Sequence, residues 1–240
     1  MMRYLLLLLL FMAGATGMAQ SVAEKTETKK DTVILVPDPH YREDQFYAGI
    51  SYVLVQAKPA GYSQYSVPVN LNFGILRDVP LNKRRNYAIA LGVGYSYTNL
   101  KHSVVTQQTE GANYYSIVSQ AAFDKNKLVL HYLDFPLELR WRTSNDTDHR
   151  FWRVYTGFKV SYLFYNKSEY KPDGDTKIKI TNDPNMNRIM TGMYVSAGYN
   201  TWNFYTYYGF NTIYKGMPIQ ENNDKLKLRP VSFGLMFYIL

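Results

Sequence analysis

The stretch that decides the fold is Tyr87-Ala-Ile-Ala-Leu-Gly-Val-Gly-Tyr-Ser-Tyr97. Tyr87, Ile89, Leu91, Val93, Tyr95 and Tyr97 are large and apolar or aromatic, and the residues between them, Ala88, Ala90, Gly92, Gly94 and Ser96, are small. A period of two marks a strand whose side chains point alternately to opposite faces. A strand with one face in water normally sets charges against its apolar face. Small residues there suit the crowded interior of a narrow barrel instead.

The pattern repeats on both sides. Residues 46–56 alternate Phe46, Ala48, Ile50, Tyr52 and Leu54 against smaller neighbours. Further strands are predicted at 65–76, 128–142, 151–165, 189–199, 202–214 and 228–240, eight in all. Each is close to the nine to eleven residues that a tilted membrane-crossing strand needs. Between Leu130 and Phe135 the apolar phase changes beside Pro136, which predicts a bulge or bend in the fourth strand. The gaps after strands two, four and six (77–86, 143–150 and 200–201) are short. Those after strands three, five and seven (99–126, 166–188 and 215–227) are long, and only 57–64 departs from the alternation. Short periplasmic turns and long extracellular loops are the habit of outer-membrane barrels. The last strand, with Val231, Phe233, Leu235, Phe237 and Ile239 on one face, resembles the terminal strands that barrel-insertion machinery recognises.

The amino terminus agrees with export. Arg3 precedes an apolar run from Tyr4 to Ala13, and Gly17 and Ala19 stand at minus three and minus one of a cut before Gln20. This is the layout of a signal peptide, 1–19. A periplasmic tail, 20–45, then leads into a barrel over 46–240. Its one apolar piece, Val33–Val36, is bounded by Pro37 and Pro39. No later stretch is long and apolar enough for a helical span, so a membrane-embedded chain must close into a barrel.

Composition narrows the function. The chain has 27 Lys and Arg against 19 Asp and Glu; without Arg3 the balance is close to +7. An exported basic protein meets lipid phosphates rather than nucleic acid. Cysteine is absent and tyrosine numbers 23, with 12 Phe and 3 Trp. The first excludes disulfides and Cys-ligated metal; the second suggests aromatic girdles at the membrane interfaces.

The fourth strand carries the candidate site. Leu137, Leu139 and Trp141 are interleaved with Glu138, Arg140 and Arg142. Charges on the lipid face cost about 2–4 kcal/mol each at mid-membrane, so they are expected inside. A symmetric turn over 143–150 places Arg140 opposite Arg153, Glu138 opposite Tyr155 and Asp134 opposite Lys159, with Glu138 diagonal to Arg153. The expected interior network is therefore Asp134, Glu138, Arg140, Arg153 and Lys159, read as packing in a barrel too narrow for a channel. Lys83, Arg84 and Arg85 form a basic periplasmic turn suited to docking. Loop lysines, among them Lys167, Lys171, Lys177, Lys179 and Lys227, are placed to meet lipopolysaccharide phosphates. Catalysis finds little support. The histidines, His40, His102, His131 and His149, show no metal spacing, and His131 and Asp134 belong on different faces. No catalytic residue, metal or cofactor is expected.

The segments Leu133-Asp-Phe-Pro-Leu-Glu-Leu-Arg-Trp-Arg-Thr143, Phe151-Trp-Arg-Val-Tyr-Thr-Gly-Phe-Lys-Val160 and Asn166-Lys-Ser-Glu-Tyr-Lys171 resemble PorT-type outer-membrane barrels. A looser likeness extends over 46–240. The resemblance implies a small OmpA-like barrel associated with type IX secretion, with no catalytic residues to carry over. The expectation is an all-β antiparallel transmembrane barrel in the cell outer membrane. Its expected role is as an accessory to protein secretion acting by contact. Its partners would be outer-membrane lipid, lipopolysaccharide and secretion-system proteins. The alternatives are a structural or lipopolysaccharide-binding barrel and a barrel enzyme.

Overall fold

A computed structural model describes residues 45–143, 152–174, 177–220 and 224–239. The signal peptide, the tail up to residue 44 and most of the fourth connection lie outside the described residues. Eight strands form the wall: β1 Gln45–Gln56, β2 Val69–Pro80, β3 Tyr87–Lys101, β4 Phe123–Arg142, β5 Trp152–Pro172, β6 Ile189–Tyr199, β7 Trp202–Gly209 and β8 Arg229–Ile239. Each pairs antiparallel with its sequence neighbour. The ring closes between β1 and β8, from Phe46↔Ile239 to Gln56↔Arg229. It is a closed up-and-down antiparallel barrel, so the barrel strands leave no free edge to the lipid.

Outward positions form the apolar wall. Phe46, Phe73, Leu91, Leu137, Phe158, Phe204 and Phe233 are exposed, Phe204 by as much as 78%. Trp141, Trp152 and Trp202 sit together at the short-turn end, with Trp152 against Tyr199 and Trp202 edge-on to Phe237. Toward the other end Tyr97, His131 and Tyr165 make a second row across three strands. From Trp141 to His131 is about 33 Å along the strand, or about 25 Å along the axis at a tilt near 40°. That matches the apolar band of an outer-membrane barrel.

Several expectations need correction. The register between β4 and β5 is shifted by two: Arg142 faces Arg153, Arg140 faces Tyr155, Glu138 faces Gly157 and Asp134 faces Ser161. A shift of two keeps every side chain on its face, so the inside and outside assignments survive although the pairs change. Strand two starts and ends four residues later than expected, which carries Asp78 into the wall and shortens the turn to 81–86. Strands four and five are longer than expected and strand seven shorter. Strand four has no bulge beside Pro136, since β3 and β4 hold one register from Tyr87↔Trp141 to Lys101↔Lys127; its own register shift lies near its start, between Phe123 and Lys125. The apolar phase changes because the lumen above Tyr132 is itself apolar. A second irregularity lies in β5, where His131↔Tyr165 is followed by Tyr132↔Leu163 and Phe164 is the extra residue. Pro136 instead leaves a gap in the β3 ladder, between Leu91↔Leu137 and Gly94↔Asp134, because it has no N–H to donate.

Most of the buried tyrosines are not girdle residues at all. Tyr47, Tyr155, Tyr194, Tyr205, Tyr207 and Tyr238 fill the lumen. Small residues opposite make room for them. A Cβ on Gly94 would lie 1.9 Å from the Tyr47 hydroxyl and 2.7 Å from the Phe73 carbonyl, and one on Gly157 would meet the Tyr194 ring at 2.4 Å. We therefore expect Gly94→Ala to abolish most of the heat-modifiable folded band in detergent gels. Gly111→Asn, at a left-handed turn with open space around it (φ 80°), should fold like the native chain. Equal folding of the two variants would contradict this packing.

Candidate functional site

The lumen is built in three layers. At the short-turn end, β2 and β4 bring Asp78, Glu138, Arg140 and Arg142 together. Arg142 grips both Asp78 oxygens, at 3.2 Å from Nη1 and 3.0 Å from Nη2, while Arg140 Nη1 reaches Oδ1 at 2.9 Å. Arg140 Nε also donates to Glu138 Oε2 at 2.8 Å. Forked, charge-assisted contacts of this kind are the strong class. The Tyr194 and Tyr238 hydroxyls donate to Glu138 Oε1 at 2.8 and 3.2 Å. Arg153 lies over the rings of Tyr155 and Tyr238. In the observed register Arg153 is no longer a diagonal neighbour of Glu138.

Midway along, Lys159 donates to Asp134 Oδ2 at 3.2 Å and sits 4.7 Å from the Tyr207 ring centroid; the Ser96 hydroxyl donates to the same carboxylate oxygen at 2.8 Å. Asp134 and Lys159 thus meet across one diagonal instead of face to face. Hollows of about 40 Å³ and 10 Å³ remain beside these groups, room for a few waters at most.

Above this layer the lumen turns apolar. Val53, Leu100, Leu128, Leu130, Tyr132 and Leu163 of the wall pack with Val104, Tyr115, Met186, Ile213, Tyr214 and Ile219 of the long connections. The hairpin Val104–Thr109/Ala112–Ile117 joins the last connection through a parallel bridge, Tyr115↔Ile219. Asp183 ties these loops together, accepting from the Tyr115 hydroxyl at 2.6 Å and from Asn113 Nδ2 at 2.9 Å. His102 is buried under this lid, accepts from the Val104 N–H at 3.1 Å, and is pushed down to about 4 by loss of solvation. It stays neutral at physiological pH.

Asp78 and the Glu138 tyrosines were not singled out by sequence reasoning. Arg77 and Pro80 interrupt the alternation of β2 and hide that Asp78 keeps its inward phase after Asn72 and Leu76. Of the basic turn, Lys83 and Arg84 are exposed. Arg85 has φ 58°, and its carbonyl accepts from Arg142 Nε at 3.0 Å, which fastens the turn to the charged layer. His131 and Asp134 are not brought together: His131 bonds the Tyr95 hydroxyl on the outer wall at 2.6 Å. His40 and His149 lie outside the described residues.

A closed wall with an apolar exterior band, paired aromatic rows and a buried ion-pair network in the lumen defines an integral outer-membrane β-barrel protein. Over residues 18–215 the sequence matches the outer membrane protein beta-barrel domain family, and the chain belongs to that family. It resides in the cell outer membrane. No curated protein matches its sequence. Among solved structures it is similar to Ail, the attachment invasion locus protein of Yersinia pestis, in complex with the heparin analogue sucrose octasulfate. That match has 10% identity over 82% of this chain and 99% of that one, with a TM-score of 0.36. A second structure of Ail matches at 10% identity over 81% and 97%, with a TM-score of 0.34.

The coupling of the middle layer is measurable. Asp134→Asn should leave the Lys159 ammonium without its carboxylate, at a cost of about 3–5 kcal/mol in reversible urea unfolding. Adding Lys159→Met should recover most of that loss. Strictly additive costs would mean that the two groups do not interact.

Proposed function

We propose that this protein is a non-conducting outer-membrane barrel that serves protein secretion as an accessory component, acting through contacts rather than catalysis. The observation that carries the reading is the filled lumen. Ion pairs and tyrosines occupy its lower and middle layers, and the loop core closes its upper end. A barrel filled in this way offers cargo no passage, so its contribution lies in its surfaces. The likeness of 133–143, 151–160 and 166–171 to PorT-type barrels supports a place in a type IX-like system. On the periplasmic side Lys83 and Arg84 offer an exposed cationic turn, suited to an acidic partner by steering that weakens with salt.

The purified barrel in a planar bilayer should show no steady conductance. Large, stable open channels would overturn the reading. Lys83→Glu combined with Arg84→Glu should leave folding and insertion intact while lowering the amount of exported cargo. Export at the native level, with the variant inserted normally, would remove this turn as the docking site and leave the secretion reading without its periplasmic contact.

A further inference from the structure

The extra residue at Phe164 changes what the outer wall presents. Below it, odd-numbered β5 residues such as Arg153, Tyr155 and Ser161 point inward; above it, Tyr165, Lys167 and Glu169 take the outward phase shared with Lys127 and His131 of β4. Glu169 is buried beneath lysines. The ammonium groups of Lys167, Lys177, Lys127 and Lys125 lie 2.8, 2.9, 3.4 and 3.8 Å from its carboxylate. Lys101 stands beside Lys127 in the ladder, and Lys179 stands beside Glu169 on the short strand Ile178–Thr181. One carboxylate cannot neutralise four ammonium groups. The excess positive charge is held in one place by strand geometry, and the lysine side chains remain 19–48% exposed.

Height and direction decide what meets this charge. The cluster lies just beyond the Tyr97, His131 and Tyr165 row that ends the apolar band, at the long-loop end. Lys127 is about 10 Å above His131 along the axis, at the outer margin of the headgroup zone that flanks a hydrocarbon core, into which a long lysine side chain can reach. It faces sideways from the wall rather than upward from the loop tips. A lateral cationic site at that depth looks into the leaflet, where a lipid's phosphate is at hand and a soluble polyanion is not. We propose that Lys125, Lys127, Lys167 and Lys177, organised around Glu169, form a binding site for the phosphate groups of an outer-leaflet glycolipid. Lysine suits this role as a mobile point charge that accommodates a phosphate without a fixed fork. The inference rests on the outer-membrane placement and is independent of any role in secretion.

The test uses the full-length processed barrel in detergent, with bound lipid counted by native mass spectrometry. The probes are bisphosphorylated lipid A, the same lipid with its phosphates removed, and inorganic pyrophosphate. The native barrel should retain the phosphorylated lipid roughly tenfold more tightly than the dephosphorylated one. Lys127→Gln/Lys167→Gln/Lys177→Gln should erase that difference. A companion carrying Glu169→Gln as well removes the stranded carboxylate, and should behave the same if the triple variant loses its heat-modifiable fold. Equal retention of both lipids by the native barrel, or an undiminished preference in the folded variants, would overturn the site. Pyrophosphate that binds as tightly as the lipid would overturn the assignment to the leaflet.

Discussion

Lipid gives a strand edge nothing to hydrogen-bond, and the closure of β1 onto β8 is the answer on which the rest of this structure depends. Once Phe46 is paired with Ile239 and Gln56 with Arg229, each wall residue faces either lipid or lumen. The sorting follows from cost. A charge facing the mid-membrane loses a few kcal/mol, whereas the same charge in the lumen can meet an opposite one. Asp78, Glu138, Arg140 and Arg142 are found where that pairing is available. Pro136 is accommodated by a local gap in one ladder, while its pairing to Lys159 on the other side continues.

Filling the ring then fixes its character. A narrow barrel has space only for side chains, and this one divides that space by chemistry along its axis. Carboxylates, guanidiniums and phenols meet near the short turns, an ion pair with further phenols occupies the middle, and aliphatic residues with the folded loops take the long-loop end. Buried ion pairs of this kind add little net stability over an apolar filling, yet losing one partner is expensive. The loop core makes the outer end a structured surface, held by Asp183 and the Tyr115↔Ile219 bridge.

The alternation of small and large residues in β3, and of charge and aliphatic in β4, was enough to read the wall and the inside of the barrel from the sequence. Register was not legible, because the β4–β5 turn was assumed symmetric and nothing in 143–150 declares its geometry. The error of two residues left the faces correct and the partners wrong. Asp78 was hidden by a strand end placed too early. The phase change in β4 reports the passage from a polar to an apolar lumen, which apolar periodicity alone does not distinguish from a bulge. Composition alone does not say which face an aromatic ring occupies, so tyrosines that pack inside look like girdle residues in the sequence.

The most direct test of the closed, registered wall is a set of amide–amide contacts from nuclear magnetic resonance of the barrel in lipid nanodiscs. The structure predicts contacts across the closing seam, between the Phe46–Gln56 and Arg229–Ile239 strands, and β4–β5 contacts that place Arg142 opposite Arg153. A silent seam, or contacts that instead put Arg140 opposite Arg153, would contradict it.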